Sequence, residues 1–185
     1  MHKKLPRLYH FVEDLNINEI KKIHNQIAII YRNYRIKPDV KKVIQVRNYC
    51  RTNRRIFIIA NYFHLAYQLN LDGFYIPAHN KNNINKYKKS KFIIIGSAHS
   101  IKEIRIKETQ GVHQIFLSPI FKTLKSNKNL GLLKFNLFSK YTSKPIIALG
   151  GINSTNIKQI KMTNSFGIAS IRYIKMNKKF TQIKL

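Results

Sequence analysis

Eight short apolar runs recur along this chain, and helix-like segments separate them from end to end. The runs predict strands at residues 8–12, 27–32, 56–60, 73–76, 92–96, 114–118, 146–149 and 167–171. The segments between them predict helices at 17–25, 39–52, 63–69, 84–88, 101–109, 132–141 and 156–162, with 84–88 the weakest pattern. Parallel strands need a crossover between them, usually a helix, so strict alternation argues for a parallel sheet. The strand runs are continuously apolar, as expected when helices cover both faces. Eight units predict a closed (β/α)8 TIM barrel; a doubly wound open sheet is the competing topology. At 185 residues the barrel is short. Its C-terminal helix is expected to be truncated or irregular, because residues 174–185 form a basic tail with a weak apolar pattern. The whole chain, 1–185, reads as one domain.

The charge balance asks what partner such a barrel has. Lys and Arg number 35 against seven Asp and Glu, a net +28. The cations are spread over nearly every predicted helix and loop, in a chain saturated with Lys, Ile and Asn. That spread reads as compositional drift, and nucleic-acid binding is expected to be nonspecific electrostatics only. The basic start, Met1 to Arg7, has no apolar signal core behind it, and no run is long enough to cross a bilayer. Together with the lone Cys50, this predicts a cytoplasmic protein without a membrane partner. Oligomeric state is not legible in the sequence.

In a barrel the chemistry lies at the C-terminal ends of the strands. Of the seven carboxylates, Glu13 and Asp14 fall there. His99, in Gly96-Ser97-Ala98-His99-Ser100, is the best-placed histidine, with His79 behind it. His99 is either an acid/base near neutral pH or a helix-start residue beside a capping serine. Arg32 ends the second strand and binds either a substrate phosphate or a carboxylate at Glu13 or Asp14. Thr123, Lys125, Ser126 and Lys128 lie in a polar loop after the sixth strand, either a phosphate clamp or a solvated loop. Gly150-Gly151 ends the seventh strand before a helix-like segment, either as an anion-binding turn or as an ordinary corner. No spacing resembles a zinc site.

Taken in order, these segments resemble the thiamine-phosphate synthase/TenI superfamily. The resembling stretches are Arg7-Leu8-Tyr9-His10-Phe11-Val12-Glu13-Asp14, His64 to Ala78, Ser97-Ala98-His99-Ser100, Ser118-Pro119-Ile120-Phe121-Lys122-Thr123, Ala148-Leu149-Gly150-Gly151-Ile152 and Gly167 to Ile174. The resemblance implies a (β/α)8 barrel acting in thiamine biosynthesis on a phosphorylated ligand of the thiazole phosphate type. The synthase joins thiazole phosphate to hydroxymethylpyrimidine pyrophosphate with magnesium; TenI-type relatives isomerise a carboxythiazole phosphate. It also implies that Gly150, Gly151 and Ile171 hold the thiazole phosphate, with Thr123 beside the thiazole and His99 as the tautomerase base.

The departures from the family pattern are specific. Only Arg32 remains of the pyrophosphate triad on the second strand, and the two magnesium aspartates align with Asn61 and Asn80. Asn offers a carbonyl oxygen without charge where a cation needs one. The lysine of the sixth loop aligns with Ser126, with Lys125 or Lys128 as substitutes, and a phosphate-site serine aligns with Arg172. The pyrophosphate half therefore reads as dismantled and the phosphate half as intact. Four readings follow: a synthase-like enzyme with a degenerate magnesium site, a TenI-like tautomerase using His99, a phosphate-ligand-binding barrel without catalysis and, as a further alternative, a nucleic-acid-binding basic protein. Magnesium is expected only with synthase activity.

Overall fold

The computed structural model describes residues 4–84, 91–124 and 126–176. Eight parallel strands close into a barrel in sequence order: β1 (Leu8–Val12), β2 (Ala28–Tyr31), β3 (Phe57–Ala60), β4 (Gly73–Ile76), β5 (Ile93–Ala98), β6 (Gln114–Leu117), β7 (Ile146–Leu149) and β8 (Gly167–Ser170). Closure is made by β1 on β8, with Tyr9 beside Ala169. The closed barrel excludes the open-sheet alternative.

The helices are α1 (Ile17–Lys21), α2 (Val40–Thr52), α3 (Phe63–Gln68), α4 (Ile101–Thr109), α5 (Gly131–Ser139) and α6 (Tyr173–Met176). Polar caps set three of their starts. Asn16, Asp39 and Ser100 each accept backbone N–H bonds from the first turn of the helix that follows. Val43, Val46 and Cys50 then recur on the buried face of α2.

Two apolar clusters follow from strand alternation. One set of positions turns outward and packs under the helices, Ile29, Ile59, Ile94 and Ala148 among them. The other fills the barrel with Tyr9, Phe11, Ile30, Ile58, Tyr75, Ile95, Phe116 and Ile147. Four aromatic rings interlock at its centre, Phe11 against Tyr75 at 5.4 Å and Tyr9 against Phe116 at 4.8 Å. Below them the Tyr9 hydroxyl donates to Gln114, whose Nε2 donates to the Pro6 carbonyl at 2.9 Å. The interior is thus a packed core, and ligands have access only at the ends.

Three sequence expectations change. α1 stops at Lys21, several residues short of the predicted end at 25. The segment after β7 is a 3-10 helix, Ile157–Met162, and not an α-helix. β5 runs two residues further than predicted, to Ala98, which places Ser97 inside the barrel wall. The weak helix predicted at 84–88 lies almost wholly outside the described residues, as does the tail beyond Met176; the last helix, α6, starts at Tyr173 and is described as far as Met176. No helix among the described residues is long and apolar enough to cross a membrane.

Candidate functional site

At the C-terminal end of the barrel, β5 delivers His99 to the rim, where its side chain is exposed. A reciprocal cap fixes its backbone. Ser100 Oγ accepts the Glu103 N–H at 3.2 Å, and the Glu103 carboxylate accepts the His99 N–H at 2.5 Å. The ring is fixed from the other side. Nδ1 of His99 lies 2.7 Å from the Ser118 carbonyl oxygen and 3.2 Å from the Ser118 hydroxyl. A carbonyl only accepts, so Nδ1 carries the hydrogen in the neutral ring and Nε2 carries the lone pair. The helix-start and acid/base readings of His99 are therefore compatible: the cap holds the backbone while Ser118 sets the tautomer.

Ser118 leads directly to the glycine turn. Ile120 N–H donates to the Leu149 carbonyl at 2.9 Å, and Phe121 N–H to the Gly150 carbonyl at 3.1 Å, so the loop after β6 lies along the end of β7. Both glycines have left-handed backbones, φ +96° and +71°. A Cβ on Gly150 would stand 2.7 Å from Pro119, and one on Gly151 only 2.3 Å from the Lys122 carbonyl oxygen. The pair thus has a structural requirement of its own, the close approach of two backbones.

The turn beyond is already self-bonded. Asn153 Oδ1 accepts the N–H groups of Thr155 and Asn156 at 2.9 and 3.2 Å, and Asn156 Oδ1 accepts that of Asn153 at 2.9 Å. The helix start expected to offer bare N–H groups therefore has these three occupied. Thr123 and Ser126 close a tight turn beside the glycine turn, N–H to carbonyl at 3.1 and 3.3 Å. Lys128 is exposed, and Lys125 lies outside the described residues. Ile171 and Arg172 follow β8, both exposed at the same end of the barrel.

The opposite side of the mouth is built on β2, β3 and β4. Arg32 turns inward: its guanidinium stands 4.3 Å over the Phe11 ring and, with Ser97, lies near enough to the Tyr75 hydroxyl to favour its ionised form. Burial pushes the Tyr75 hydroxyl above the usual phenol range; Ser97 and Arg32 pull the other way. Among the described residues Arg32 forms no ion pair with Glu13 or Asp14, which are exposed. His79 packs edge-on against Tyr34 at 5.9 Å, joining the loops after β2 and β4.

Asn61 and Asn80 meet at the ends of β3 and β4. Asn61 has the left-handed backbone that asparagine tolerates, φ +64°. Its N–H donates to the Tyr75 carbonyl at 3.0 Å. Its Oδ1 accepts from Nδ2 of Asn80 at 2.9 Å. This donor set does not fit the magnesium that the resemblance implies. Two neutral amides already bonded to each other replace two carboxylates, and a pyrophosphate-bound magnesium is normally held by at least one. Among the described residues no three His, Cys, Asp or Glu side chains cluster as metal ligands.

Ser97, Ser118 and Tyr75 lie within the stretches that carry the family resemblance, but the sequence assigned none of them a role beside Arg32 or His99. Period-2 alternation carries the signal, since Gln114, Phe116 and Ser118 share one face of β6, and Ser97 follows Ile95 on β5.

Comparison with known proteins agrees with this architecture. The family described as thiamine monophosphate synthase matches residues 13–174. A protein of Aquifex aeolicus named "Putative thiamine-phosphate synthase 2" is 27% identical over 180 residues, covering 91% of this chain and 97% of that one. A "Thiamine-phosphate synthase" of Prochlorococcus marinus is 33% identical over 155 residues, 76% of this chain but only 43% of the longer relative. The solved thiamine phosphate pyrophosphorylase of Pyrococcus furiosus superposes with a TM-score of 0.77 at 18% identity, over 94% of this chain and 92% of that one. A match over most of the chain, joined to the closed eight-stranded barrel, settles the kinship: the chain belongs to the thiamine monophosphate synthase family.

Proposed function

We propose that this barrel moves a proton on a small phosphorylated heterocycle of the thiazole phosphate type, as a TenI-like tautomerase, with His99 as the acid/base. The observation that carries this reading is the bond from His99 Nδ1 to the Ser118 carbonyl at 2.7 Å. It leaves Nε2 as a basic lone pair at the mouth of the barrel. One base suffices for a tautomerisation: Nε2 takes a proton from one ring atom, the ring electrons shift, and the imidazolium returns the proton at another. Nothing else is consumed, and Nδ1–H continues to point at Ser118 throughout.

Two further features support this reading over pyrophosphate displacement. Proton transfer needs no metal, in keeping with the amide pair at Asn61 and Asn80. Gly150 lies one step from Ser118, through Pro119, so a phosphate on that turn would put its ring near His99. Arg32, Thr123, Ile171 and Arg172 complete the mouth in this scheme.

The test is turnover of a carboxythiazole phosphate by the wild type and by His99→Ala. Loss of about 10²–10⁴-fold is expected for a removed acid/base. Unchanged turnover in His99→Ala would reject the reading. Rescue of a thiamine-phosphate-synthase-deficient host would favour the synthase reaction instead, and would require Asn61 and Asn80 to stand in for aspartates.

A further inference from the structure

Lys107 has no exposed surface, although it sits on a surface helix. Lysine is almost never fully buried without partners. Its partners all serve one loop. Nζ donates to the carbonyl oxygens of Pro77 at 2.9 Å and Asn80 at 2.7 Å, and to Oε1 of Gln110 at 2.9 Å. Gln110 directs its own Nε2 to the carbonyls of Asn80 at 3.1 Å and Asn82 at 2.9 Å. The lysine stem passes β5 at Gly96, where a Cβ would stand 2.7 Å from Lys107 Cδ. An ammonium has three donors and no acceptor, so three oxygens saturate it.

Stability alone does not explain this arrangement. A methionine would fill the same channel without the cost of desolvating a charge. What the charge supplies is direction, because its hydrogen bonds hold the backbone of Asn80, whose side chain donates to Asn61.

We propose that Lys107, assisted by Gln110, is a positioning residue for the mouth of the barrel, tying the loop after β4 to α4 and so setting Asn80 against Asn61. Its functional consequence rests on the reading of that mouth as the substrate site; the positioning itself does not.

The hydrogen count gives the proposal a signature. A neutral amine has two N–H bonds and a lone pair, so one of the three oxygens would lose its donor on deprotonation. Burial lowers the Lys107 pKa to about 8, opposed by Glu103 one turn earlier on α4. The loop presents carbonyls to Nζ, and β5 presents Gly96 to the stem. Order in residues 77–82 should therefore fall as pH passes about 8. Global stability should rise over the same interval, because the unfolded lysine keeps its proton to about 10.4. A lysine with a purely structural role gives the second trend without the first.

The experiment is amide hydrogen exchange of the full chain, read by NMR from about pH 6.5 to 9.5 and corrected for intrinsic rates. In the wild type, protection of the amides of residues 78–82 should drop several-fold around pH 8 while that of the β-strands does not fall. In Lys107→Met that protection should be low at every pH. Gln110→Leu, which removes the second donor but not the titrating group, should lower protection and keep the step, so the wild type and this variant decide the matter if Lys107→Met does not fold. No step in the wild type, or full loop protection in Lys107→Met, overturns the proposal. His99→Ala separates it from the proposed reaction: an active His99→Ala protein removes the reaction and leaves the Lys107 result standing.

Discussion

Asn80 Nδ2 donates to Asn61 Oδ1 across 2.9 Å, joining the ends of β3 and β4 through two neutral amides. The bond is self-sufficient, because a carboxamide carries both a donor and an acceptor. Two carboxylates in the same place would repel and call for a cation. The contact therefore closes the very position that the family resemblance assigns to magnesium.

The double variant Asn61→Asp with Asn80→Asp should reverse that relationship. Without divalent cations it should melt below the wild type, because like charges at hydrogen-bond distance disfavour joint ionisation. Magnesium at about a hundred times its Kd would restore about 2.7 kcal/mol, several degrees in Tm. The wild type should not respond. A thermal-shift titration checks both, and equal responses would refute the metal-free assignment of this corner.

Gly151→Ala should be the more damaging of the two glycine substitutions. A left-handed alanine costs about 1–3 kcal/mol on its own. The added Cβ also meets backbone at 2.3 Å, whereas at Gly150 the nearest atom is the Pro119 Cβ at 2.7 Å. Urea midpoints should rank wild type above Gly150→Ala and Gly150→Ala above Gly151→Ala. The reverse order would mean that the loop after β6 yields more easily than its hydrogen bonds to β7 suggest.

Ser100→Ala removes the N-cap of α4, at a cost of about 1 kcal/mol. It also removes half of the reciprocal bonding that fixes the His99 backbone. Stability should fall by that amount, and turnover by more than the loss of folded protein explains. Calorimetry paired with a turnover assay tests this; activity that merely tracks the folded fraction would show that Ser118 alone orients the ring.

Lys107 gives stability an alkaline signature. Its folded pKa of about 8 lies below the unfolded value of about 10.4, so between them the unfolded state binds more protons and unfolding becomes harder as pH rises. The stability of the wild type relative to Lys107→Met should climb across that window and level off on either side. Denaturant unfolding at several pH values measures it, and a flat difference would mean that Lys107 titrates as if exposed.

Much of this was legible before folding. The strand and helix periods predicted the barrel and its order, the rule that chemistry gathers at strand C-termini selected Arg32, His99 and Gly150, and the family resemblance drew attention to Asn61 and Asn80. The 3-10 helix after β7 was not legible, because Asn153 and Asn156 bond locally and compete with an α-helical start. Lys107 read as one more surface lysine on α4. Ile104 and Gln110 on either side of it are buried, but nothing local reports that a loop about thirty residues earlier in the chain offers it two carbonyls.

The sequence by itself determined the architecture, the family and the short list of residues at the mouth, because alternation and helical spacing are local and repeat eight times. The tertiary structure decided what those residues do to one another. It turned Arg32 onto Phe11 and Tyr75, set the His99 tautomer through Ser118, paired Asn61 with Asn80 and buried Lys107. Each of these is a contact between different β/α units, and barrel closure creates it.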